Sequence, residues 1–207
     1  DPVSAQRVHD FYAQVVDEVV VTRGTREAES AKLLENTYRH VNIALVNEMA
    51  RFFHELDIDF WEVIRLASTK PFGFQPFTPG PGVGGHCIPI DPNYLSHRVR
   101  TQLGYSFRFV ELAQEINSSM PSYVVARVSE LLNDRSQSLC GSTVLLLGVT
   151  YKPDIADQRE SPAIDVGKRL VRSGAVVRYH DPYVEKWNVE GTERIDGDLL
   201  AAVAEAD

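Results

Sequence analysis

Cys87 stands in the run Gly84-Gly85-His86-Cys87-Ile88-Pro89-Ile90-Asp91-Pro92, entered through Phe77-Thr78-Pro79-Gly80-Pro81-Gly82, and its surroundings suit thiol chemistry. Glycines remove side chains where something must approach the backbone closely, and prolines fix φ, so the loop is shaped rather than slack. Asp91-Pro92 reads as a helix start. A thiol just ahead of a helix N-terminus feels the positive end of the dipole, which favours the thiolate, the nucleophilic form. A Gly/Pro surface loop with an inert cysteine has the same composition. His86 beside Cys87 invites a Cys/His pair, but sequence neighbours rarely meet side chain to side chain, and that reading is set aside.

Two further groups bear on the same chemistry. Cys87 and Asp91 are four residues apart and would share a face if the helix began early. Lys32 and Asn36 have the same spacing on a second helix; a cation and an amide donor on one face make an oxyanion site beside a thiol. A surface lysine with an ordinary asparagine has that spacing too. The loop Val149–Glu160 follows a short apolar strand and carries Lys152, Asp154, Asp157, Arg159 and Glu160 in place of a G-x-G-x-x-G, so no dinucleotide pyrophosphate is expected there in the usual way. Lys152 and Arg159 could instead neutralise phosphate at the carboxyl end of that strand; a solvated charged loop is the alternative. Six scattered histidines and two distant cysteines give no metal-ligand spacing.

The elements that must position these residues fall into three segments. No Gly or Pro occurs from about Glu27 to Ala67, and Leu34, Tyr38, Val41, Leu45, Met49, Phe52, Phe53 and Leu56 recur with a helical period. One long helix or two nearly continuous ones are expected, reaching about 45 Å for thirty residues, and either bridging domains, pairing with a second copy, or forming an ordinary core helix. The Gly/Pro loop Pro71–Pro89 follows. Helices are then expected over Asn93–Leu103 and Phe107–Asn133, the latter interrupted at Ser119-Met120-Pro121, with Pro121 opening a new helix. Thr143–Gly148 reads as a buried strand, Ser161-Pro162 opens a helix through Val171, and Ala175–Tyr179 is a second strand: a βαβ unit of a doubly wound sheet.

The 207 residues suffice for one or two domains with real cores. A net charge of −8 argues against a nucleic-acid polyanion as partner. Two cysteines make no disulfide framework, which points to a reducing cytoplasm. No apolar run approaches a membrane span. With no initiator Met, a helical stretch at Phe11–Val16 followed by the β-branched run Val19–Thr22, and a helix-like end over Leu199–Asp207 without a C-cap, the chain is expected to be a piece cut at both ends.

Three motifs together carry a resemblance: A-K-L-L-E-N-T-Y at Ala31–Tyr38, F-T-P-G-P-G-V-G-G-H-C-I-P-I-D-P at Phe77–Pro92, and G-V-T-Y-K-P-D-I-A-D-Q-R-E-S-P-A at Gly148–Ala163. Long, ordered and spread over most of the chain, they resemble the UDP-glucose/GDP-mannose dehydrogenase family. The G-H-C-I-P-I-D-P-N-Y-L form, with Glu115–Pro121 downstream, is most similar to the branch oxidising UDP-N-acetylhexosamines, UDP-N-acetylglucosamine first.

The resemblance implies an α/β fold: a long-helix dimerisation region followed by a Rossmann-like UDP-binding domain, with an N-terminal NAD-binding domain missing. Residues 1–27 would be the last edge of that domain, 28–120 the central helical dimerisation and catalytic domain, and 121–207 an incomplete UDP-binding domain. The implied reaction oxidises the sugar C6 alcohol to a carboxylate, consumes two NAD+ and serves polysaccharide biosynthesis. By the same carry-over, Cys87 passes through a thiohemiacetal and a thioester, Lys32 and Asn36 stabilise oxyanions, and Asp91 orients or activates water. Lys32, Asn36, Phe77, Thr78, Pro79, Gly80, Gly84 and Lys152 would bind the UDP-sugar, and Arg159 and Ile90 would face the cofactor. A homodimer through the long helix is implied. UDP-glucose or UDP-N-acetylmannosamine oxidation, and a non-catalytic UDP-sugar-binding dimerisation module, stay open as alternatives.

Overall fold

The computed structural model describes residues 1–207, which divide into two compact units, 1–35 and 36–207. The first unit holds α1 (Pro2–Tyr12), capped by Asp1, whose carboxylate accepts the amide of Ser4 at 3.0 Å. This corrects the expected stretch Phe11–Val16: the helix starts earlier, at Pro2, and ends at Tyr12, so only Phe11 and Tyr12 of the stretch are helical. Val19–Val21 form no strand.

Helix α2 (Thr25–Glu55) starts in the first unit and continues into the second. It stops where Asp57 adopts φ +56°. Asp59 then caps α3 (Phe60–Ala67), accepting the amides of Trp61 and Glu62, so the Gly-free segment is two helices. The buried stripe of α2 is Asn36, Thr37, His40, Ala44 and Asn47. Of its apolar period, Leu34, Tyr38, Leu45, Phe52 and Leu56 are exposed, while Val41, Met49 and Phe53 are half-buried.

After the Gly/Pro loop, α4 spans Asp91–Leu103 with Pro92 in its first turn and Gly104 closing it in the left-handed region (φ +78°). Helix α5 (Arg108–Asp134) runs without interruption, with Pro121 inside it. The expected restart at Pro121 is therefore wrong. Proline supplies no N–H to the carbonyl four residues back, that of Asn117, and the Gly/Pro loop packs on that spot: a Cβ on Gly82 would stand 3.1 Å from the Asn117 oxygen and 3.9 Å from Pro121 Cδ. Tertiary packing of a buried Pro121 offsets the lost helical bond.

The βαβ unit forms in the expected order, but its first strand, expected to be buried, is half-buried with Leu147 exposed. Strand β1 (Thr143–Leu147), helix α6 (Pro162–Arg172) and strand β2 (Val176–His180) follow in order, and Thr143 to Leu147 pair in parallel with Val176 to His180. A third parallel strand, β3 (Thr192–Arg194), extends the order to β1-β2-β3. Its three polar residues give no apolar signal by which to find it. The core lies between α5, α6 and the sheet, around Val125, Leu132, Val149, Val166, Leu170, Val177, Tyr179 and Trp187. A fully buried side chain such as Leu170 contributes about 1.5–3 kcal/mol through removal from water. Helix α7 (Leu199–Ala204) is capped by Asp198 and closed at Glu205. The reading of Leu199–Asp207 as an uncapped helix is corrected: Asp207 instead donates its amide to Thr143 O and accepts the Thr143 amide through its carboxylate. No helix is long and apolar enough to cross a membrane.

Candidate functional site

The second unit brings Asn36 of α2 and Asp91 of α4 together. Asn36, 5% exposed, donates through Nδ2 to Asp91 Oδ2 at 2.8 Å. A buried amide can do this because the carboxylate satisfies its donor, and the charge-assisted bond is stronger than a neutral one. Asp91 sits in the first turn of α4, where a carboxylate also meets the positive end of the helix dipole.

Cys87 precedes that turn. Its carbonyl accepts the amides of Asp91 at 2.9 Å and Ile90 at 3.3 Å, so the cysteine backbone closes the start of α4. The helix begins at Asp91, and Cys87 therefore does not share a helical face with it; the thiol is exposed and free. Ile90 is the N-cap residue and half-buried.

The Gly/Pro loop is held at both ends of its run. At Gly80 the amide donates to Asn47 Oδ1 at 2.8 Å; Asn47 Nδ2 donates to Asn117 Oδ1 at 2.9 Å; and Asn117 Nδ2 donates to His40 O at 3.2 Å. Asn47 is fully buried and Asn117 nearly so, and buried amides that satisfy one another fix geometry tightly. At Gly84 a Cβ would fall 2.7 Å from Tyr151 Cβ and 2.9 Å from both Glu160 O and Pro162 Cδ. Gly85 follows at φ +94°, against the Tyr151 ring. The paired glycines are thus needed for contact with the 148–162 segment and for the turn. Phe77 packs edge-on against Tyr38 at 5.8 Å; Thr78 is exposed, and Pro79 and Gly80 are half-buried.

On the 148–161 loop, Lys152 is exposed, with Nζ 5.8 Å from the centre of the Tyr151 ring. Arg159 points mostly into solvent but is not free. Its guanidinium makes two bonds to Asp157, at 2.9 and 2.8 Å, and its amide a third at 3.0 Å. That fork holds the Asp157 carboxyl far below the usual carboxylate range. His86 Nε2 lies 3.6 Å from the same carboxylate. Lys32 belongs to the first unit, on α2. A cleft of about 370 Å³ is bounded by His40, Gly82, Pro89, Asn117, Pro162 and Lys168, among others; Cys87, Asn36, Asp91 and Lys152 do not line it. Burial pushes the His40 imidazole toward its neutral form, and neither ring nitrogen has a partner.

Sequence reasoning missed Asn47, Asn117 and Tyr151 as supports of the loop. An asparagine on the buried stripe with Asn36 and His40 was the available signal for Asn47. No group of three or more His, Cys, Asp or Glu side chains is placed to hold a metal ion. Chemically, the arrangement offers an exposed thiol at a helix start, an amide–carboxylate pair one helical turn on, and cations on an adjoining loop.

Residues 26–119 match the model of the UDP-glucose/GDP-mannose dehydrogenase family, central domain, and residues 145–207 that of the same family's UDP binding domain. The chain is 40% identical over 182 residues to a UDP-N-acetyl-D-glucosamine 6-dehydrogenase of Salmonella typhi, covering 84% of this chain and 42% of the relative. It is 36% identical over 211 residues to a UDP-N-acetyl-D-mannosamine dehydrogenase of Methanocaldococcus jannaschii, covering 100% and 47%. Among solved structures, a UDP-glucose dehydrogenase from Pyrobaculum islandicum superposes with a TM-score of 0.83 at 28% identity, over 100% of this chain and 47% of that one. A UDP-N-acetyl-mannosamine dehydrogenase from Staphylococcus aureus gives 0.72 at 35%, over 92% and 43%. The chain spans less than half the length of these relatives.

Proposed function

Because the chain belongs to the UDP-glucose/GDP-mannose dehydrogenase family, we propose that it supplies the thiol and the nucleotide-sugar contacts of a UDP-N-acetylhexosamine 6-dehydrogenase, which oxidises a C6 alcohol to a carboxylate. The observation that carries this is the exposed Cys87 at the start of α4, one turn from the Asn36–Asp91 bond. Relatives named for the glucosamine and the mannosamine sugar match at similar identity, so the proposal is to the N-acetylhexosamine class.

The chain's own residues then have distinct tasks. The Cys87 thiolate adds to the carbonyl carbon of a C6 aldehyde, and the carbonyl electron pair moves to oxygen. Asn36, as amide donor, stabilises that oxygen. In the closing step the acyl–sulfur bond is attacked by water that Asp91 orients, releasing the carboxylate and the thiol. Phe77–Gly80 and Gly84 wrap the sugar and diphosphate, with Lys152 against phosphate charge.

The hydride acceptor in this reading would be NAD, two per turnover: one hydride leaves the C6 alcohol to give the aldehyde, and the second leaves C6 of the Cys87 adduct, which becomes the acyl–sulfur form. The 148–161 loop lacks a G-x-G-x-x-G and carries Asp157 and Glu160, whose negative charge disfavours a dinucleotide pyrophosphate there. Arg159 and Ile90 are retained as contacts to it, Arg159 on the condition that Asp157 releases the guanidinium.

The exposed apolar stripe Leu34, Tyr38, Leu45, Phe52 and Leu56 supports a homodimer through α2, since contiguous apolar surface favours a partner. Two free thiols, Cys87 and Cys140, suit the cytoplasm.

Ligand protection tests the reading. In the Cys140→Ser chain, UDP-N-acetylglucosamine or UDP-N-acetylmannosamine should slow iodoacetamide alkylation of Cys87 at least fivefold, and GDP-mannose should not. Equal rates with and without every nucleotide sugar would contradict it.

A further inference from the structure

His86 was set aside as a partner for Cys87, and nothing in the proposed chemistry uses it. Its surroundings assign it another task. The ring Nε2 stands 3.6 Å from Asp157 Oδ2 and the ring lies edge-on to Tyr151 at 6.4 Å between centres. Both partners belong to the 148–161 loop, whereas the next residue along the chain from His86 carries the thiol. The same two loops meet at Gly84 and Gly85, where Tyr151 leaves no room for a Cβ. The contact is therefore a continuous strip, Gly84 and Gly85 against Tyr151 and then His86 facing Asp157, with Cys87 the next residue along the chain.

From this we infer that His86 is a positioning residue: with Asp157 it ties the thiol-bearing loop to the 148–161 loop and so fixes where Cys87 stands. The inference rests on the reading of Cys87 as the reactive thiol. Asp157 suits the part because Arg159 grips it by three bonds. A carboxylate held in that way stays charged and stationary, so His86 faces a fixed negative group rather than a swinging one. The side chains are 42% and 23% exposed, so each can be changed without opening the core.

Position at a reactive group shows in its rate. Alkylation of Cys87 by iodoacetamide is measured in the Cys140→Ser chain without ligand, for His86→Ala, Asp157→Asn, the double variant and His86→Gln. Asparagine keeps an oxygen for Arg159 and removes the charge facing His86. The two single variants should each change the rate threefold or more in the same direction, the double variant should change it no further, and His86→Gln, which keeps a polar donor at the Nε2 end, should stay within twofold of the parent. Non-additivity of this kind marks two residues acting through one contact. Unchanged rates, effects that multiply in the double variant, or a glutamine variant that behaves like alanine would each overturn the inference. No nucleotide sugar enters this measurement, so its failure is separable from that of the proposed function, which the protection experiment reads.

Discussion

The Asn36 amide and the Asp91 carboxylate, 55 residues apart in sequence, meet at 2.8 Å and join α2 to the first turn of α4. The bond lies at the point where the thiol-bearing loop becomes helix, so it holds two candidate catalytic groups and the loop exit in one geometry. Asn36→Ala should lower stability by about 1–3 kcal/mol, the usual cost of removing one partner of a buried bond. Thermal unfolding followed by circular dichroism reads this directly, as a fall of about 2–4 °C per kcal/mol for a chain of this size.

Asn47 makes two bonds at once, to Gly80 N and to Asn117 Oδ1, and is fully buried. Asn47→Leu should cost more than Asn36→Ala, about 2–4 kcal/mol for two groups left without partners. Amide exchange should rise at Gly80 before it rises in the α5–α6 core. Exchange that rises uniformly would show that Asn47 supports the unit as a whole rather than the loop.

Gly84 and Gly80 make opposite predictions. A Cβ at Gly84 would stand 2.7 Å from Tyr151 Cβ and 2.9 Å from a backbone oxygen, whereas nothing lies within 4 Å of one at Gly80. Gly84→Ala should cost about 1–3 kcal/mol through overpacking and weaken nucleotide-sugar binding, while Gly80→Ala should leave stability within about 0.5 kcal/mol. Urea unfolding of both variants checks the pair.

His40 gives a pH dependence. Burial lowers its folded-state pKa below the ordinary value of 6.5, so between the two values the unfolded chain binds the extra proton. Stability then rises with pH in that window: it is fully present above about 6.5 and is lost as pH falls from there toward the folded-state value. His40→Leu should flatten the slope of melting temperature against pH between 7 and 5, and an unchanged slope would assign it to other groups.

Much of this architecture can be read from the chain. Pro92 marks the start of α4 because proline fits the first helical turn, and the runs Thr143–Gly148 and Ala175–Tyr179 announce parallel strands by their apolar content. The helix through Pro121 cannot be read locally, since what tolerates the proline is Gly82, 39 positions earlier in the sequence. The polarity of α2 is hidden for the same reason. Its apolar period is real, but the face turned inward is chosen by Asn47 and Asn117, whose pairing across 70 residues has no local signature. At the candidate site, residue types point to Cys87, Asn36 and Asp91 as candidates, while only the fold reveals that Asn36 binds Asp91 and that His86 faces Asp157.

Isothermal titration of this chain with UDP-N-acetylglucosamine and UDP-N-acetylmannosamine, with GDP-mannose as control, tests the central claim most directly. Saturable binding of a UDP-N-acetylhexosamine, weakened at least tenfold by Lys152→Ala and absent for GDP-mannose, is the result predicted. No heat with any UDP-sugar, or equal affinity for GDP-mannose, would contradict the claim that these residues carry a UDP-N-acetylhexosamine site.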